Sequence, residues 1–167
     1  MKSAKKTILA IASAALFAAA STLAYANDPK ATIADLDARL AKIGAPKLEG
    51  TEKTGDKTVS ALFFGERKIN NNFDVVDSIR KAHSATATIF VRDGEEFVRV
   101  STNVLTPEGK RGVGTQLARN KAYEALIKGQ QYCGLIDVLG TAFDACYNAV
   151  KDSGGKIIGA SYIGHKK

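Results

Sequence analysis

The sequence predicts an α+β domain, with helices early in the chain and a central antiparallel sheet built from its second half. Three observations carry this. Ala85–Asn103, reading ATATIFVRDGEEFVRVSTN, is two period-2 runs of β-branched and aromatic residues around Asp93-Gly94, a strong hairpin signal. A second pair of strand-like runs flanks Leu139-Gly140 and carries the two cysteines of the chain, Cys133 and Cys146. Before both, two segments show apolar residues at helical spacing.

The chain opens on a targeting segment. Lys2, Lys5 and Lys6 form a positive n-region, Ile8–Leu23 is apolar, and Ala24-Tyr25-Ala26 is a small-x-small cleavage site. The apolar part is short for a membrane span, so residues 1–26 are expected to be a cleaved signal peptide and the product periplasmic. Removing these 26 residues and their three lysines takes the formal charge from +7 to +4 and leaves 141 of 167 residues, the size of one domain. No dense Lys/Arg patch interleaved with aromatics is present, so nucleic acid is not an expected partner.

In the mature chain, Asp28-Pro29 is a helix start, Ile33, Leu36, Leu40 and Ile43 fall on one stripe, and Gly44 with Pro46 ends it. Lys47–Asp56 is polar and reads as a loop, so residues 27–56 form an N-terminal helix and loop ahead of the main domain, 57–167. Thr58–Phe64 reads as a strand. Asn70–Asn72 is expected to cap a second helix whose Phe73, Val76 and Ile79 share a face. Thr106–Gly114 is a loop rich in breakers. Asn120 caps a short third helix closed by Gly129, and Asp152–Gly155 turns the chain into a last strand, Lys156–Gly164.

With Asp93 and Gly94 as the turn, Phe90 faces Phe97, Thr88 faces Arg99 and Thr86 faces Ser101. Alternation then sorts the faces. Ala87, Ile89, Val91, Val98 and Val100 make a core face. Thr86, Thr88, Phe90, Phe97, Arg99, Ser101 and Asn103 make the other. Taken alone, that second face fits the solvated side of an antiparallel sheet; its aromatics, single arginine and hydroxyls also suit a small anion. In the second hairpin, a Leu139-Gly140 turn sets Cys133 opposite Cys146, with Cβ atoms about 4.5–5.5 Å apart, so a disulfide is expected in an oxidising compartment. Tyr132 opposes Tyr147 and Ile136 opposes Phe143 on the face away from the cysteines. The two tyrosines suit either ordinary core or an aromatic pocket wall.

The runs ATATIFVRDGEEFVRVSTNV, RGVGTQL and YCGLIDVLGTAFDACYNAVKDSGGKIIGASYIG, preceded by KINNNFDVVDSI, resemble the single Cache sensory domain of the Cache 3–Cache 2 fusion type, from about Lys57 to Gly164. The resemblance implies a PAS-like fold with a central antiparallel sheet, helices packed on one side and a ligand pocket against the sheet. It implies an extracytoplasmic sensing role and small organic acids as ligands. Arg99 would meet a carboxylate, with Ser101, Phe90, Phe97, Tyr132 and Tyr147 completing the site. Sensory Cache domains usually precede an output module; the sequence has no coiled-coil relay, methylation helix or kinase after this one, so the expected partner is a separate membrane receptor or sensor kinase, or a second copy. The alternative is a degenerate Cache domain with a filled pocket, acting as a structural or interaction module.

Other signals point to no chemistry. Gly112-Val113-Gly114-Thr115 lacks the Gly-Lys-Ser/Thr ending of a phosphate loop. His83 ends a helix and His165 sits in the basic tail, with no partner at metal-ligand spacing, and Ser101 has no nucleophile context. Neither an enzyme, a metal site nor a cofactor is expected.

Overall fold

The structure is a computed structural model that describes residues 28–167; the expected signal peptide, 1–26, lies outside the described residues. Helix α1 spans Pro29–Ile43, with the Asp28 carboxylate accepting from Lys30 N–H at 2.9 Å. Its Ile33, Leu36 and Leu40 are buried. It stops at Gly44, whose φ of 147° favours glycine and whose close approach to the Gly65 backbone leaves no room for a Cβ.

The polar stretch expected to be a loop is instead a strand. β1 (Pro46–Thr54) pairs antiparallel with β2 (Lys57–Phe64), which pairs with the two-residue β3 (Arg67–Lys68) in a three-stranded sheet. Within β1 only Thr54 is buried. A strand held by its backbone ladder with neither face in the core shows no hydrophobic period, so it was invisible in the sequence. Helix α2 (Asp74–His83) follows. Of the three asparagines expected to cap it, Asn72 accepts from Asp74 N–H at 3.1 Å. Asn70 is buried elsewhere, accepting from Leu62 N–H at 2.8 Å and donating to Ser60 O at 3.2 Å, where it clamps the first sheet.

The main sheet comprises β4 (Thr86–Asp93), β5 (Glu96–Thr102), β6 (Tyr132–Val138), β7 (Thr141–Lys151) and β8 (Ile157–Lys166), with α3 (Lys121–Ile127) between β5 and β6. All its pairs are antiparallel, in the order β5-β4-β8-β7-β6. Closing β8 between β4 and β7 gives the PAS-like arrangement. Asn120 caps α3 as expected, accepting from Ala122 and Tyr123 N–H at 3.0 and 3.2 Å.

Both faces of this sheet are covered. α1 and α2 pack on one face against Ala87, Ile89, Val91, Val98, Val100, Cys146 and Ile163. α3 and the segment 103–120 cover the other, meeting Phe90, Phe97, Tyr147 and Tyr162. The helices therefore do not all lie on one side, and the solvated outer face considered for the first hairpin does not exist. β8 also runs two residues past its expected end. His165 is part of it, buried and hydrogen-bonded at 3.1 Å to Thr32 Oγ1 on α1 rather than loose in a tail.

Candidate functional site

The first hairpin turns one residue later than expected. Asp93 pairs with Glu96, so Gly94-Glu95 is the turn, with Gly94 (φ 60°) at its first central position. Phe90 therefore faces Arg99 rather than Phe97, and Arg92 faces Phe97. This shift preserves parity, so Phe90, Phe97 and Arg99 share a face as expected.

A bulge then breaks the alternation. Phe90 pairs with Arg99 but Ile89 pairs with Ser101, leaving Val100 as an extra residue on β5. One inserted residue sends everything beyond it to the opposite face. Ser101 turns toward α2 and donates to Asn72 O at 2.5 Å. Asn103 likewise faces α2, accepting from Ala87 N–H at 2.7 Å and donating to Val76 O at 2.6 Å. Ser101 is therefore not beside Arg99; it serves the other layer.

Arg99 itself is only 3% exposed. Its guanidinium carbon lies 5.0 Å from the centre of the Phe90 ring, and Nη1 donates to Thr115 Oγ1 at 3.0 Å and Gln116 O at 2.8 Å. Both partners belong to segment 114–117, which runs along the outer edge of β5. Arg99 N–H donates to Thr115 O, Gly114 N–H to Arg99 O, and Leu117 N–H to Phe97 O, each at 2.9 Å. Thr115 Oγ1 donates in turn to Gly112 O at 2.6 Å, fixing the hydroxyl that receives the arginine. Nε is buried without a partner, and among the described residues no carboxylate pairs with this guanidinium. Burial pushes its pKa down, opposed by Tyr147 and Tyr162; an arginine nevertheless stays charged at any physiological pH.

Beside Arg99 runs a row that crosses the sheet at one level. Tyr132, Tyr147, Tyr162, Thr88 and Thr102 are successive cross-strand partners on β6, β7, β8, β4 and β5. The Tyr132 and Tyr147 ring centres are 6.3 Å apart, and those of Tyr147 and Tyr162 4.8 Å. Tyr147 and Tyr162 are each 1% exposed, and burial pushes both phenols well above their ordinary range. The Tyr162 hydroxyl pairs with Thr86 Oγ1 at 3.1 Å and lies against Gly164, where a Cβ would collide with it. The glycine thus lets the ring lie down along its own strand. Tyr132 is half-buried, with its hydroxyl donating to Leu135 O at 3.3 Å.

The second hairpin has the expected register throughout. Cys133 and Cys146 are directly opposed and joined by a disulfide, with Cα atoms 4.2 Å apart, on the α1 side of the sheet. Leu139 and Gly140 both have positive φ, as a type I′ turn requires. Phe90, Phe97, Arg99, Tyr147 and, at the margin, Tyr132 are thus brought to one face. Tyr162, at the centre of the aromatic row, was not anticipated. Its place depends on β8 lying between β4 and β7, a non-sequential neighbour relation that strand patterns do not encode.

An antiparallel sheet of this order, with helices packed on it, is a PAS-like fold. A family model for the Cache 3/Cache 2 fusion domain matches residues 19–167, and the chain belongs to that family. Domains of this family are generally extracytoplasmic modules that bind small molecules and sense them for receptors. The search of curated proteins returns no match. Among the described residues no helix is long and apolar enough to cross a membrane, and no cluster of three metal-ligating side chains occurs.

Proposed function

We propose that the protein is an exported ligand-binding domain that takes up a small carboxylate, of two or three carbons, against Arg99 and reports it to a separate membrane receptor or sensor kinase. The observation that carries this is the state of Arg99: a residue 3% exposed, with its Nε unsatisfied and, among the described residues, no carboxylate paired with its guanidinium. A buried charge without a counter-charge is strongly unfavourable unless something else compensates it. An anionic ligand does so directly, by charge-assisted and bidentate hydrogen bonds. Phe90, Phe97, Tyr147 and Tyr132 supply apolar walls close around so small a ligand; Tyr162 joins them, and Ser101 is left out because it faces α2. Segment 114–117 borders the proposed site, since Thr115 and Gln116 hold Nη1. Export rests on the signal-peptide pattern and is tested by intact mass of periplasmic protein, expected to lack residues 1–26.

A second reading is favoured by the packing. Phe97, Leu117, Tyr123, Leu126, Tyr147 and Tyr162 form one continuous buried cluster around Arg99, which suits a filled pocket and a structural or interaction role. A thermal-shift screen of two- and three-carbon carboxylates separates the two. Binding raises the melting temperature by mass action; a flat screen over the whole set favours the second reading.

A further inference from the structure

Among the described residues, four strands of the two sheets have an unpaired side, and three of them are guarded. β5 is covered by segment 114–117 and bulged at Val100. β1 is bulged between Leu48 and Thr51 and carries Lys47 and Lys53. β3 is two residues long, both cationic. Short length, lysines, bulges and covering segments are the ordinary means of keeping sheet edges from pairing with other chains. β6 has none of them. Its seven residues, YCGLIDV, pair with β7 without a register shift, and the disulfide fastens it there. Leu135 at its centre is 69% exposed, the most exposed large hydrophobic side chain among the described residues.

We infer that β6 is a self-association edge: two copies of this chain pair antiparallel through Tyr132–Val138 about a two-fold axis at Leu135, joining their five-stranded sheets into one. The hairpin geometry sets which groups are available. Val138 and Thr141 flank a two-residue turn and are hydrogen-bonded to each other, so Ile136, Gly134 and Tyr132 also point their backbone groups at β7. Cys133, Leu135 and Asp137 therefore present N–H and C=O outward; the Leu135 carbonyl, which accepts from the Tyr132 hydroxyl at 3.3 Å, keeps a second lone pair for the N–H of the other copy. Pairing about Leu135 uses all three, with Cys133 of each copy opposite Asp137 of the other. Asp137 is the only ionised residue on the strand, so no like charges meet. Leu135 meets Leu135 of the second copy, covering the exposed side chain of each. A second copy fits because the strand is its own complement under this rotation, as an isologous contact requires.

Sedimentation velocity on the purified chain over a wide concentration range tests this, together with two variants. The expected result is a monomer–dimer equilibrium that Leu135→Lys weakens about tenfold or more; Leu135 is exposed, so circular dichroism of the variant is expected to match the parent. Directly opposed, hydrogen-bonded residues have Cα atoms about 5.5 Å apart, within disulfide range. Leu135→Cys is therefore expected to give a covalent dimer on mild oxidation, with Cys133–Cys146 intact by peptide mapping, while the exposed Lys53→Cys does not. A chain that stays monomeric at all concentrations overturns the inference and leaves the edge to a different partner. A dimer indifferent to Leu135→Lys, or one whose Leu135→Cys form does not cross-link, overturns it too.

Discussion

Arg99 and Phe90 face each other across the β4–β5 pair, with the guanidinium carbon 5.0 Å from the ring centre and Nη1 held by Thr115 and Gln116 of segment 114–117. The ring face offsets part of the cost of burying the charge, by about 0.5–2 kcal/mol for interactions of this kind. It does not neutralise the charge. The proposed anion is placed at this arginine for that reason.

Ser101 separates the observed register from the simple alternating one. Ser101→Ala removes the hydrogen bond to Asn72 O on the α2 side. It is expected to lower stability by about 0.5–1.5 kcal/mol in denaturant melts and to leave carboxylate affinity unchanged. A loss of affinity comparable to that of an Arg99 variant would place Ser101 on the ligand face and contradict the bulge at Val100.

The disulfide is expected to contribute roughly 2–3 kcal/mol, on the chain-entropy model for a short loop. Thiol labelling of denatured, unreduced periplasmic protein is expected to find no free cysteine. Cys133→Ser with Cys146→Ser should shift the urea midpoint down by a corresponding amount, yet leave the sheet intact.

His165 makes stability depend on pH. Burial between β8 and α1 holds its pKa below the ordinary 6.5, with His83 and Lys167 acting in the same direction and Asp144 and Asp28 against. The unfolded chain therefore takes up this proton at a higher pH than the folded one does. Stability is full above about pH 6.5, and is lost as pH falls from there toward the folded value. Asp35, whose carboxyl is lowered chiefly by its hydrogen bond to Arg39, loses its contribution only in a more acid range. Melting curves from pH 8 to pH 5 should show the decline, and His165→Gln should flatten its upper part.

How much could be read in advance depended on where register is fixed locally. In the second hairpin, Leu139-Gly140 is a tight turn and no bulge intervenes, so counting outward gave every pair, including the disulfide. In the first, Asp-Gly suggested a turn that uses both residues, whereas the chain places Gly94 first and Glu95 second. The faces of Phe90, Phe97 and Arg99 survived because pairing moved by two. Val100 left no mark, since VRVST alternates equally well with or without a bulge. β1 was missed because its side chains are polar on both faces, and Tyr162 because strand order is a property of the whole sheet. The burial of Arg99 depends likewise on segment 114–117 folding back over β5, a contact no local pattern announces.

Calorimetric titration with a two- or three-carbon carboxylate identified in the thermal-shift screen is the direct test of anion binding at Arg99. Arg99→Ala is expected to weaken binding by about 10- to 150-fold, the equivalent of roughly 1.5–3 kcal/mol for a lost charge-assisted contact. Arg99→Met is expected to weaken binding by at least as much while raising the melting temperature of the ligand-free protein, because an apolar side chain of similar length replaces an unpaired buried charge. Arg92→Ala, at the turn end of the same face, should bind as the parent does. Parental affinity in Arg99→Ala and Arg99→Met would contradict anion binding at this site, and would make this arginine a structural feature of a filled core.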